Sequence, residues 1–117
     1  MDKVSTINFK ASANGDNTIV AAVAGTTIKV LALHMQPVAG TTTINYYFSS
    51  SNAAGTALYG DATNPIPLDR TEAAGPSVLS LPPTPFYEGW METDEGEGLN
   101  LNLSGAQPVS GVITYMQ

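Results

Sequence analysis

The sequence predicts an all-β protein folded as a single antiparallel β-sandwich, and three observations lead there. Apolar and polar residues alternate with period two through most of the patterned stretches. Clusters of Gly, Asn, Pro and Ser recur at short intervals between those stretches, as turns between strands require. No segment of useful length carries the i, i+3, i+4 pattern of an amphipathic helix. With 117 residues, 43% of them hydrophobic, the chain has the size of one domain, and such a domain buries roughly two thirds of its unfolded surface.

Residues 1–16 read as an N-terminal arm and first strand, and residues 17–117 as the sandwich domain. "NGDN" at 14–17 is a turn, because Asn and Gly tolerate positive φ. "TIVAAV" follows as a short strand: Ile19, Val20 and Val23 outweigh the helical tendency of the alanines. In "TTIKVLALHMQ", Ile28, Val30, Ala32 and His34 share one parity and Lys29, Leu31, Leu33 and Met35 the other. Both faces are thus mostly apolar after the lysine, which predicts a strand buried on both sides or covered by a neighbouring subunit. After the turn "PVAG", Ile44, Tyr46 and Phe48 alternate with Thr43, Asn45 and Tyr47, a half-buried strand expected to form a hairpin with the preceding one.

Residues 49–85 are irregular, with short apolar pieces at 57–59 and 78–81. Prolines 65, 67, 76, 82, 83 and 85 belong in loops or on sheet edges, since proline donates no ladder hydrogen bond. In "GWMETDEGEGLNLNL" (89–103) a strand runs through Trp90, Met91 and Glu92, and "TDEGEG" reads as a hairpin tip. The pleat then puts Leu99, Leu101 and Leu103 on one face. "SGVITYMQ" closes the chain as a last strand, giving about eight strands in a jelly-roll-like sandwich with long Pro-rich loops. The predicted core and interface residues are Ile28, Val30, Leu31, Leu33, Trp90, Leu99, Leu101 and Leu103.

Composition excludes several classes of partner. Charged residues make up 12% of the chain, about half the usual roughly 25%, and the surface is expected to be neutral and hydroxyl-rich. The formal charge is -6, and Lys3, Lys10, Lys29 and Arg70 stand singly. Nucleic acid is therefore not an expected partner, because phosphate neutralisation needs clustered cations. Anionic membrane surfaces are disfavoured by the same charge, and no stretch approaches the roughly 20 apolar residues of a membrane helix. The N-terminal segment carries no signal-peptide apolar run, so synthesis in the cytoplasm is expected. With no cysteine, disulfides and thiolate metal sites are not available.

Candidate chemistry is sparse. Glu92, Asp94, Glu95 and Glu97 offer oxygen ligands of the kind Ca²⁺ takes, but their spacing matches no EF-hand loop, and a solvated tip explains them. Trp90, near Phe86 and Tyr87, offers a sugar-stacking platform or, as the favoured reading, core packing. His34 is the sole histidine and lies in the most apolar strand, which favours a packed, hydrogen-bonded role over catalysis. Nucleophile elbows, phosphate-cradling glycine loops and HExxH are missing from the sequence. No catalytic residue, cofactor or metal is expected, and the chain is not expected to be an enzyme.

"DNTIVAAVAGTTIKVLAL" (16–33) together with "GWMETDEGEGLNLNLSGAQPVSGVITY" (89–115) resembles a recurrent pattern in small structural proteins of tailed bacteriophages and prophages, in which "GWFET…GE.LNLNLS…V.G…Y" closes a short β-sandwich. The resemblance covers the N-terminal third and the C-terminal quarter of the chain. It implies a virion protein, most like a capsid cement or decoration protein that sits on the outer surface of the head, as a homotrimer over capsomer junctions, with the major capsid protein as partner. The apolar residues of the terminal arm and the Pro-rich loop, Ile7, Phe9, Leu81, Pro83, Phe86 and Tyr87, are the expected capsid contacts. The acidic tip would then face outward. The alternative is a carbohydrate- or receptor-binding module of a tail or head fibre, in which Tyr46, Tyr47, Tyr59 and Trp90 meet on a concave surface.

Overall fold

The computed structural model describes residues 3–38, 44–51, 56–68, 78–84 and 89–117. Among them are ten strands and no helix: β1 (Val4–Ala11), β2 (Gly15–Val20), β3 (Lys29–Pro37), β4 (Ile44–Ser50), β5 (Ala57–Tyr59), β6 (Ile66–Leu68), β7 (Leu79–Leu81), β8 (Met91–Glu92), β9 (Leu99–Leu103) and β10 (Val109–Met116). They form two antiparallel sheets packed as a sandwich. One runs β1-β10-β3-β7, with β8 also on β3; the other runs β2-β9-β4-β5, with β6 also on β4. β7 and β8 divide one edge of β3 between them, and β5 and β6 divide the outer edge of β4. If each divided edge is one position, the chain winds through eight positions as a jelly roll, crossing between sheets at most of its connections. At the divided edges the strands are short, with Pro67 exposed on one of them, and leave little ladder open for pairing there, while β1 and β2 form the opposite edges. Among the described residues no helix is long and apolar enough to cross a membrane.

The crossings overturn two expected hairpins. β3 and β4 lie in different sheets, so each is a strand as expected but the two do not pair. β8 and β9 are likewise split, and residues 93–98 carry the chain from one sheet to the other instead of forming a hairpin tip. Thr93 anchors that crossing. Its Oγ accepts from the Ile28 amide at 2.9 Å and donates to the Glu97 carbonyl at 3.3 Å, while the Ser51 hydroxyl accepts from the Gly98 amide at 2.7 Å.

The first residues are not a free arm. β1 pairs with β10 along its whole length, from Val4 opposite Met116 to Ala11 opposite Val109, and β2 already begins at Gly15. The boundary expected at residue 16 therefore falls inside a strand. The turn between β1 and β2 is closed by Asn17, whose carboxamide donates to the carbonyls of Ala13 and Gly15 and accepts from the Ala13 amide.

β3 explains its doubly apolar sequence by a bulge. Ala32 faces Thr114 on β10, but Val30 faces Tyr115, so Leu31 is an extra residue and the parity of the strand reverses there. Ile28 and Val30 before the bulge, and Leu33 and Met35 after it, all point into the sandwich and are at most 2% exposed. Leu31 is only half-buried, and no second layer is needed to account for the sequence. Between them the sheets enclose Phe48, Leu99, Leu101, Leu103, Val109 and Ile113, all fully buried. Each such side chain contributes about 1.5–3 kcal/mol through burial. Tyr46 and Phe48, and Phe48 and Tyr59, meet edge to face with ring centroids 6.1 and 6.4 Å apart.

Candidate functional site

A sandwich has two outward faces, and the predicted site residues distribute unevenly over them. Ile28, Val30, Leu33, Leu99, Leu101 and Leu103 lie in the core as expected. Trp90 does not: it shares its parity with Glu92 while Met91 and Thr93 turn inward, and it is 44% exposed. Gly89 enforces this placement. It holds φ at +69°, and the Trp90 amide donates to the Val30 carbonyl at 2.7 Å. The indole Nε1 donates to the Pro82 carbonyl at 2.7 Å, which lays the ring along the edge beside the β7 segment.

Of the expected contact residues, Ile7 and Phe9 face inward and pack against the core, because the outward parity of β1 belongs to Val4, Thr6, Asn8 and Lys10. Phe9 lies over Gly111, its partner across the β1–β10 pair, where a side chain would collide with the ring. Leu81 is buried in β7. Pro83 is exposed, and Phe86 and Tyr87 fall outside the described residues. His34 is exposed rather than packed, because the bulge at Leu31 turns it outward, opposite Ser80.

The outward face of the β1 sheet is broad and weakly charged. A shallow groove of about 210 Å³ runs over it between β10, β3 and β7, lined by Ala32, His34, Ser80, Pro82, Pro83 and Val112 among others. Thr6 and Thr114 share a hydroxyl hydrogen bond of 2.9 Å beside it. Lys10 projects from β1, and Lys29 reaches Glu92 at 3.7 Å near the Trp90 end. The acids of residues 92–97 are dispersed: Glu92 also accepts from the Thr27 hydroxyl and Glu97 accepts from the Ser51 hydroxyl. Among the described residues no three of His, Asp or Glu converge as a metal-holding group.

The outward face of the β2 sheet is polar and carries a concavity of about 350 Å³ over Tyr47, lined by Asn45, Asn102, Ser104, Ala62 and Pro65. Tyr47 and Asn102 are directly opposite across the β4–β9 pair. The four aromatic residues expected to meet on one surface do not: Tyr46 and Tyr59 turn toward the core, Tyr47 faces out from the β2 sheet, and Trp90 lies on the other sheet. Burial pushes the Tyr46 phenol up to about 12, with the neighbouring Tyr59 adding to the effect.

Comparison of the sequence with known protein families and with curated proteins finds no match to either.

Proposed function

We propose that the chain is a decoration protein of a tailed-phage head, which binds the outer surface at capsomer junctions and reinforces the shell. Beyond the resemblance of residues 16–33 and 89–115 to phage structural proteins, one observation supports this reading. Val4, Val78, Trp90 and Val112, 56%, 50%, 44% and 42% exposed, stand out from the strands and edge of the β1 sheet. With Val23 and Val38 the others, four of the six large apolar side chains exposed among the described residues thus project from one sheet, a bias expected of an interaction surface. In this reading the β1 sheet lies against the major capsid protein, Pro83 and Val112 at its groove replace Ile7 and Phe9 as contacts, and a homotrimer presents three copies of the face to a three-fold junction. Linked contacts then act at high effective concentration, so that loss of one does not release the protein.

The test is to add purified protein to DNA-filled heads of the encoding phage prepared without it, and to measure bound copies per major capsid protein by sedimentation. Saturation at a high, regular ratio, reduced by Val112→Glu, is the expected result. No binding, or a handful of copies per particle, refutes the decoration reading.

A second reading, a carbohydrate- or receptor-binding module, draws on a different surface. The walled concavity over Tyr47 favours it, because an aromatic ring bordered by side-chain amides and a hydroxyl is the chemistry such modules use.

A further inference from the structure

We infer that the concavity over Tyr47 is a subsite for a single neutral sugar, a hexose or N-acetylhexosamine at the end of a glycan. The inference rests on the receptor-binding reading and is independent of head docking.

The floor of the site is built by strand register. β4 and β9 bring Tyr47 against Asn102, and on the next rung the Ser104 amide donates to the Asn45 carbonyl at 2.9 Å while the Ser104 hydroxyl accepts from the Asn45 amide at 2.7 Å. The wall is the connection from β5 to β6. Gly60, at φ +71°, lets that connection turn back so closely that a Cβ there would stand 3.2 Å from the Cβ of Tyr47. Asp61 then fixes its shape, the carboxylate accepting from the amides of Thr63 at 2.8 Å and Asn64 at 2.6 Å. Ala62 and Pro65 thereby stand over the floor as a small apolar rim.

What this site offers is specific in kind. The Tyr47 ring supplies a flat apolar face. Asn102 donates from Nδ2 to Asp16 at 3.0 Å, which orients its amide and leaves Oδ1 as an acceptor. Ser104 has its proton to donate, and neither the Asn45 carboxamide nor the Tyr47 hydroxyl has a partner among the described residues. Donors and acceptors therefore both border one ring face, which suits the vicinal hydroxyls and the apolar C–H face of a pyranose. Among the described residues no cation lines the site, Asp16 stands beside it, and the whole chain carries -6, so sialylated, sulfated or phosphorylated ligands are disfavoured. At about 350 Å³ the space is at the small end of ligand sites, enough for a terminal residue and not for an extended chain.

The test is a panel of immobilised glycans ending in neutral hexoses or N-acetylhexosamines, alongside sialylated and sulfated ones and an unglycosylated protein surface, probed with the labelled full chain. Binding to neutral termini is expected, weakened about tenfold or more by Tyr47→Ala. Because Tyr47 is half-buried, Ala62→Leu serves as a second variant that fills the concavity from the exposed rim without disturbing the floor. It should abolish binding with an unchanged melting temperature, while Val112→Glu on the opposite sheet leaves binding intact. Binding confined to sialylated or sulfated glycans, binding equally strong in both site variants, or binding to the unglycosylated surface overturns the inference but not the receptor-binding reading. Binding to nothing on the panel overturns the inference and removes carbohydrate from that reading.

Discussion

Gly89 carries the placement of Trp90, and its replacement by alanine separates two costs that usually arrive together. The first is conformational: at φ +69° an L-residue pays about 1–2 kcal/mol for the left-handed region. The second is steric. A Cβ at this position would collide with the carbonyl oxygen of Val30 and stand 3.0 Å from its carbon. Val30 is fully buried in the middle of a sheet and cannot yield, so β8 must move. That movement breaks the 2.7 Å bond from the Trp90 amide, a loss of about 0.5–1.5 kcal/mol, and loosens the indole from Pro82, for about as much again. Gly89→Ala should therefore cost about 2–5 kcal/mol. Gly25→Ala is the control: its φ is +79° but a Cβ there meets nothing within 4 Å, so only the conformational cost of about 1–2 kcal/mol applies. At roughly 3–5 °C per kcal/mol for a domain of this size, the two variants should melt about 6–25 °C and about 3–10 °C below the parent. Circular dichroism gives the global melt, and the fluorescence of Trp90, the sole tryptophan, reports the β8 edge directly. Equal losses in the two variants would refute the steric argument and with it the claim that Gly89 positions Trp90.

Three further outcomes follow from the same physics. The Tyr46 phenol titrates near 12 in the folded state and near 10 in the unfolded chain, so the folded state keeps its proton longer. Its contribution is fully present below pH 10 and is lost as pH rises from 10 to 12; Tyr46→Phe should flatten that alkaline loss in chemical denaturation, and an unchanged slope would count against burial as the cause. Gln107 is 4% exposed and its Nε2 has no hydrogen-bond partner among the described residues, so Gln107→Met should stabilise the protein by about 1 kcal/mol in urea unfolding. Phe9→Ala removes a half-buried ring packed over Gly111 and should cost about 2 kcal/mol, below the 3–5 kcal/mol of a fully buried ring, with head occupancy at saturation unchanged.

The strands were legible in the sequence because each records its own environment by period two, and the leucines of β9 show this most plainly. Their pairing was not legible. A jelly roll sends consecutive strands to opposite sheets, so β3 and β4 are neighbours in sequence and not in hydrogen bonding. The bulge at Leu31 imitated a strand covered on both faces, because a reversal of parity and a second apolar face leave the same pattern of residues. Trp90 could have been placed: it alternates with Met91 on the side of Glu92, and an acid on that parity marks the outward side. The Tyr47 concavity could not, since it joins Tyr47 to Asn102 through a register between distant segments and closes them with a loop whose shape depends on Asp61.

The separation of the two outward faces has a functional consequence. Sheets in a sandwich pack about 10 Å apart, with side chains filling the gap, so a ligand on one face touches nothing that a partner on the other face touches. Here the faces also differ in kind. The β1 sheet bears Val112, with Lys10 and Lys29 as its cations, while the β2 sheet shows asparagine, threonine, tyrosine and Asp16. If the first face docks on a head as proposed, the second is held toward solvent, where a weak sugar subsite gains strength from the many copies displayed on one particle. Docking and glycan recognition would then be carried by one fold without competing for the same residues. Val112→Glu should impair only the first and Ala62→Leu only the second, and a variant of either face that impaired both would show that the two surfaces are not independent.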